Sequence, residues 1–303
     1  MLLKEQMKAY PFSHNERVII DYILDKQINI KDYSVKMIAD ATFTSPSTLI
    51  RISKKLGFQG WVEFKDAYLE EANYLNSHFC NIDSNLPFSN QDSIMTIASK
   101  IVNLHIESAK DTLSLFQHDS LQKAVRILHQ SKEIRVFAMS NLNFAGEEFV
   151  FKLNRIHKKA YIHPIQDNLF HDAAMSSPDE CAICISYSGE SSNIVKTARI
   201  LKENNCPIIA ITSIGNNSLS DLAAVTLRVT TREKSFSKIA GFSSLESISI
   251  VLNTLYACLF SLNYHDNLTY KLDIAKKIEN APIINNEIIA EKDDELSLIH
   301  ISE

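Results

Sequence analysis

From Glu133 onward short β-branched runs alternate with stretches of helical length, and this alternation constrains the fold more than any other feature of the chain. The runs are "IRVFAM", "AYIHP", "CAICISYS", "PIIAITS" and "VTLRVT", with segments such as Phe144 to His157 and Asn193 to Asn204 between them. Strands that alternate with helices join through right-handed crossovers, so the pattern predicts an α/β body: a parallel sheet flanked by helices on both faces. "CAICIS" and "PIIAIT" are almost continuously apolar, as central parallel strands must be. A last apolar helix, about Ser244 to Leu262, should pack on that sheet. Cys181 and Cys184 fall three apart on a strand and so turn to opposite faces; they read as core residues, not as a metal or disulfide pair.

The first 75 or so residues follow a different, all-α grammar. "SHNE", Ser13 to Glu16, is a capping box, and Val18, Ile19, Tyr22 and Ile23 follow it on one face. Ser34 caps a second helix with Val35, Ile38 and Ala39 inward. Thr42, Phe43 and Thr44 separate it from a third, which has Ser45 at the N-cap and Pro46 in the first turn. Leu49, Ile52 and Leu56 recur there at helical spacing, and Gly57 supplies the stop. Residues from about 78 to 92 show no periodicity and read as a linker. Helices from about Ser93 to Leu115 and from about Leu121 lead into the α/β region. The expected division is 1–77, a helical module; 78–120, linker and connecting helix; 121–263, the α/β module; and 264–303, a tail.

The formal net charge of -5 argues against a protein coated in nucleic acid, but it does not exclude one small basic patch. Arg51, Lys54, Lys55 and Lys65 gather in "TSPSTLIRISKKLGFQGWVEFK" against the single Glu63. Two helices, a three-residue turn and a second helix polar on its outer face make a helix-turn-helix. Its N-terminal residues Ser47, Thr48 and Arg51, after the cap Ser45, are candidates for base edges, and Lys54 and Lys55 for phosphates. On spacing alone, a solvated face of an all-α domain stays open beside DNA binding.

A second candidate site is "ISYSGESSNIVKTA", Ile185 to Ala198. A strand ends in a loop with Ser186, Ser188, Gly189, Ser191 and Ser192, and a helix begins at once. Backbone N–H groups at a helix start, the helix dipole and several hydroxyls suit an anion such as phosphate. The carboxyl end of a central parallel strand is where open α/β sheets bind ligands. A serine-rich helix cap without a ligand is the competing reading.

Two resemblances bear on these alternatives. "SVKMIADATFTSPSTLIRISKKLGFQGWVEFK" resembles the N-terminal domain of RpiR-type bacterial transcriptional regulators through its Ser-Pro-x-Thr start, the Arg of "LIRISKKLGF" and the aromatic-x-x-Phe-Lys that follows. A turn position often held by Gly is Phe43 here. "SYSGES" looks like the phosphosugar-binding loop of sugar isomerase (SIS) domains, and "AITS", Ala210 to Ser213, like the strand end that follows it. By that likeness Ser186, Ser188 and Ser191, with Glu190 and Ser213, would surround a sugar phosphate. The Gly-Ser-Ser-type turn common after the first strand is "MSNLNFAG" here, leaving Ser140, Asn141 and Asn143 as its polar candidates. The resemblances imply a DNA-binding regulator, by inclination a repressor, of carbohydrate metabolism genes, with a phosphosugar as effector. A phosphosugar isomerase with an accessory helical domain is the alternative.

His163, His171 and Glu246 are further candidates for the effector pocket, and no acid–base pair stands out. We expect no catalytic residue, cofactor or metal. Partners should be double-stranded operator DNA, the effector and a second copy in a homodimer or dimer of dimers, because one helix-turn-helix offers few base contacts. No run approaches the roughly 20 apolar residues of a membrane span, and "MLLKEQMKAYPF" lacks a signal-peptide core, so the expected location is cytoplasmic. The tail "LSLIHISE", Leu296 to Glu303, resembles translated sequencing-adapter read-through.

Overall fold

The computed structural model describes residues 2–76, 82–162 and 168–278; His163 and the tail Leu296 to Glu303 lie outside the described residues. The first part is a helical bundle: α1 (Leu3–Ala9), α2 (His14–Lys26), α3 (Val35–Ala41), α4 (Pro46–Lys55) and α5 (Trp61–Asn76). Ile19, Ile23, Ile38, Leu49, Ile52 and Phe64 form its sealed centre. The buried Glu71 of α5 accepts the backbone N–H groups of Leu3 and Lys4, satisfying the first turn of α1. Lys65 donates to the carbonyls of Lys31 and Tyr33, so this cation holds a 3-10 turn (Gln27–Asp32) and is not free for a partner.

The turn between α3 and α4 is closed by two bonds, Thr44 N–H to the Ala39 carbonyl at 2.9 Å and Phe43 N–H to the Asp40 carbonyl at 3.3 Å. That is a Schellman ending, and it puts Phe43 at the position that favours glycine, with φ 51°. Its ring is 97% exposed and gains nothing from the core. Phe43→Gly is expected to raise stability by about 1 kcal/mol through relief of the left-handed backbone, read as a higher denaturation midpoint. Unchanged or lower stability would show that the ring packs usefully somewhere.

The second part is the α/β body. Its helices are α6 (Ile94–Leu115), α7 (His118–Gln130), α8 (Leu142–Asn154), α9 (Leu169–Ala174), α10 (Ser192–Glu203), α11 (Phe242–Leu262) and α12 (Tyr264–Ile278). Its strands are β1 (Ile134–Phe137), β2 (Ala160–Ile162), β3 (Cys181–Ile185), β4 (Ile208–Ser213) and β5 (Val225–Val229). They form one parallel sheet in the order β2-β1-β3-β4-β5. Side chains alternate between faces along each strand. Cys181, Ile183 and Ile185 pack toward α7, α8 and α11, whereas Ala182 and Cys184 pack toward α9 and α10. Burial pushes the Cys181 thiol up to about 12 and Cys184 higher still, so both are inert core residues.

The stretch expected to connect the two parts packs on the α/β body. Asn85 accepts from Lys234 N–H through its side chain and from Ile239 N–H through its carbonyl. Phe88 lies edge-on to Phe242, and inside the body Ser108 and Thr112 of α6 donate to Ser243 and Ser247 of α11, both at 2.7 Å. The partners lie more than 130 residues away, which is why no local pattern announced them. Among the described residues one helix, Phe242–Leu262, is long and apolar enough to cross a membrane; its Ile248, Val251, Leu252 and Leu255 are buried against the sheet.

Candidate DNA-recognition surface and anion-binding crevice

Helix α4 divides cleanly into two faces. Leu49, Ile52 and Ser53 are buried, while Ser47, Ile50, Arg51, Lys54 and Lys55 recur at three- and four-residue spacing on the outside. Thr48, expected on the outer face, is a correction: it is 7% exposed and shares the inner face with Ile52 one turn on. Its hydroxyl meets that of Ser45 at 3.0 Å, and Ser45 also meets Ser47 at 2.8 Å. Ser45 therefore holds the N-cap position with its side chain spent on a hydroxyl cluster rather than on a backbone N–H. Ile50, 44% exposed between Ser47 and Arg51, is an apolar side chain on this outer face that spacing alone could have revealed. A thymine methyl is the base feature that suits such a group.

The three cations on this helix are not alike in their freedom. Arg51 Nε donates to Glu16 at 2.9 Å and Lys55 Nζ reaches the same carboxylate at 2.8 Å. Lys54 is exposed and has no ion-pair partner among the described residues. Glu16 is 1% exposed and also accepts the backbone N–H and hydroxyl of Ser13. Burial pushes its carboxyl up, but the bonds from Lys55, Ser13 and Arg51 outweigh that and hold it at about 2, against an ordinary 4.5. A folded-state value below the unfolded one means stability that is present above about 4.5 and lost as pH falls toward 2, because the unfolded chain takes up the proton first. Acid titration of the bundle is expected to show this loss, with a shallower fall for Glu16→Gln; identical curves would remove Glu16 from the account.

The second site lies at the carboxyl ends of β1 and β3, where the strand order reverses and open sheets leave a crevice. After β1, Ser140 takes φ 56° and stands exposed beside Asn141 at the start of α8. After β3, Ser186 is buried and accepts Gly189 N–H at 3.1 Å, closing a tight turn. Ser188 is exposed at the tip and its Oγ accepts Glu190 N–H. Ser191 is the N-cap of α10 without a side-chain cap bond, and its hydroxyl approaches Met139 Sδ across the crevice at 3.8 Å. Ser213 ends β4, donating its N–H to the Tyr187 carbonyl. The first turn of α10 thus opens beside the loops that follow β1 and β3, the placement that an anion site at a helix start uses.

Gly189 is forced. It has φ 70°, and a Cβ there would lie 2.1 Å from Asn217 Cγ. Asn217 donates to Thr212, while Leu219 N–H donates to the Gly189 carbonyl, so the loop after β4 locks the loop after β3.

Glu190, expected among the effector ligands, instead accepts Ser218 N–H and Oγ at 2.9 and 2.7 Å, and those bonds lower its pKa. Glu246 pairs with His105 of α6 at 3.1 Å. The carboxylate at the start of α11 is Glu233, which sequence reading missed. It accepts Ser243 N–H, Ser244 N–H and Ser244 Oγ, with Lys238 Nζ at 2.9 Å. A Cβ on Gly241 would lie 3.6 Å from Glu233 and 3.8 Å from Asn141, so the start of α11 flanks the loop after β1. His171 stands exposed on α9. No cluster of three metal-ligand side chains exists among the described residues.

Comparison with known proteins agrees with this architecture. The helix-turn-helix domain of the rpiR family matches residues 1–73, and the SIS domain matches residues 127–258. An HTH-type transcriptional regulator of Caldanaerobacter subterraneus subsp. tengcongensis is 24% identical over 275 residues, 91% of this chain and 95% of the relative. Among solved structures, the Vibrio vulnificus NanR protein complexed with ManNAc-6P superposes with TM-score 0.57 at 22% identity, spanning 94% of this chain and all of that one. The sugar isomerase domain of the RpiR transcription factor from Sphaerobacter thermophilus gives 0.53 at 18% identity, spanning 59% of this chain and 98% of that one. With both domain matches on one chain, in this order and together spanning more than half of it, the protein belongs to the RpiR-type DNA-binding transcriptional regulators that carry a SIS domain.

Proposed function

We propose that the protein represses carbohydrate metabolism genes and releases its operator when a phosphorylated sugar fills the crevice between β1 and β3. The observation that carries this is the serine loop Ser186–Ser191, set on an uncapped helix start at the topological switch point of a chain that also bears a helix-turn-helix. NanR, which shares the fold, is known with ManNAc-6P bound. Ser140, Asn141, Ser186, Ser188, Ser191 and Ser213 are the effector ligands in this reading, and Ser47, Ile50, Arg51 and Lys54 the DNA contacts. The helical module ends near residue 77.

The crevice acts as a sensor and not as a catalyst. The carboxylates flanking it are engaged: Glu190 accepts Ser218 N–H and Oγ, and Glu233 takes part in four hydrogen bonds and holds the start of α11. A general base needs a free lone pair aimed at substrate. Ketose–aldose interconversion by the purified protein would favour the isomerase alternative. We further propose a cytoplasmic homodimer on a two-fold operator: Ile94, Met95, Val102 and Leu113 of α6 leave an apolar face exposed that a second copy can cover. A monomer at micromolar concentration on a single half-site contradicts this.

Calorimetry of sugar phosphates with and without operator DNA tests the whole reading, since coupling between two sites is reciprocal. Equal affinity in both conditions refutes a signalling role. On the DNA side, Arg51→Ala is expected to weaken the specific site by about 1–3 kcal/mol and relax one base preference. Lys54→Ala should weaken all sequences alike and flatten the salt slope by about one unit. Indistinguishable behaviour of the two variants in binding titrations would undo this division of roles.

A further inference from the structure

We infer that Glu16 is a positioning residue for DNA recognition: it clamps Arg51 so that only the two terminal guanidinium nitrogens face a base, and it withdraws Lys55 from the phosphates. This deepens the assignment of α4 as the recognition helix and rests on it.

The clamp joins two helices. Glu16 sits in the first turn of α2, fixed from its own side by the N–H and hydroxyl of Ser13, both at 2.9 Å. From α4, 35 and 39 residues later, Arg51 Nε and Lys55 Nζ close on the same carboxylate. The carboxylate is sealed at 1% exposure, while the Arg51 side chain remains 59% exposed. Arg51 is therefore anchored at its inner nitrogen and open at its outer end. An arginine can present a guanine with either its end pair of nitrogens or the side pair that includes Nε. Holding Nε removes the side mode and fixes the plane of the fork before DNA arrives, so less ordering remains for the complex to impose.

The second consequence concerns charge. Glu16 faces two cations, and the trio carries a net charge of one. Lys55, bonded at 2.8 Å to a buried carboxylate, is a poor phosphate ligand because leaving would strand that negative charge. The helix keeps a base-reading group and gives up a sequence-blind one, which raises the ratio of specific to non-specific binding.

The test is Glu16→Gln in the full chain, with binding to operator DNA and to unrelated duplex followed across salt concentration. The amide keeps the shape but loses the charge. Non-specific binding should strengthen, with a salt slope steeper by about one unit as Lys55 is freed. Discrimination at the base pair read by Arg51 should fall about tenfold. Ser13→Ala is the control: it weakens the helix cap without touching either cation, so it should lower thermal stability and leave slope and discrimination alone. If Glu16→Gln behaves like Ser13→Ala, Glu16 is only a helix cap and the inference is overturned. Should Glu16→Gln fail to fold, the natural protein decides through the Arg51 Nε–H resonance. That proton should be protected from exchange both free and on operator DNA, and transfer of the bond to a base in the complex would overturn the clamp. Failure of the natural protein to bind any duplex is a different result, and it would sink the assignment of α4 itself.

Discussion

Replacing Ser188 by Asp is expected to abolish the effector response while leaving effector-free DNA binding at its natural strength. Ser188 is exposed at the tip of the loop after β3, one turn ahead of α10. A carboxylate there puts a negative charge where the proposed function seats the phosphate of the sugar. At about 4 Å and an effective dielectric near 20, each pair of like charges costs about 4 kcal/mol. That is about a thousandfold loss of effector affinity, so the site stays empty at concentrations that act on the natural protein. The variant should still fold, since an acidic residue near a helix N-terminus is favoured by the dipole. The measurement is operator affinity against rising concentrations of the best-binding sugar phosphate. A normal response from Ser188→Asp would move the phosphate site away from this loop.

Gly189→Ala is expected to lower the stability of the α/β body by about 3 kcal/mol, from two separable causes. The added methyl would overlap Asn217, whose Cγ lies 2.1 Å from an ideal Cβ. Overpacking of this kind costs about 1–3 kcal/mol. The backbone at φ 70° adds about 1–2 kcal/mol for a residue with a side chain. At about 2–4 °C per kcal/mol, the thermal midpoint falls by roughly 10 °C. Measured against Asn217→Gly alone, which carries the loss of the bonds to Thr212 and from Ser220 N–H, Gly189→Ala should cost only the backbone share. The full loss on that background, or none of it, would contradict the partition.

What the sequence disclosed follows the range of the interactions involved. The parallel sheet was legible because strand period, helix length and apolar runs are local, and all five predicted runs lie in the one sheet. The helix-turn-helix was legible from Ser34, Ser45, Pro46 and Gly57, which mark helix ends within a few residues. The hidden features depend on distant partners. Glu16 meets α4 35 residues on, Glu190 is taken by Ser218 28 residues on, and Asn85 is docked on a segment nearly 150 residues away. Thr48 is different, because its placement four residues before the buried Ile52 was readable and the polar label of threonine outweighed it. Lys55 and Lys65 show the same limit for charge: counting cations finds a patch, but only their acceptors tell which remain available.

The interlock of Gly189 and Asn217 also bears on how such a sensor can change over generations. At Gly189 the loop proposed to hold the phosphate has no space to grow, so a side chain at that position is eliminated with the fold itself. After β1 the side chains of Ser140 and Asn141 stand exposed, and the restraint there is the left-handed backbone of Ser140. Under the proposed function, the loop that holds phosphate and the loop beside the sugar are written in separate parts of the gene. On that proposal a lineage exchanges one carbohydrate for another through residues 140 and 141 while Gly189 and Asn217 keep the phosphate loop in place, which makes a shift of diet a short walk in sequence.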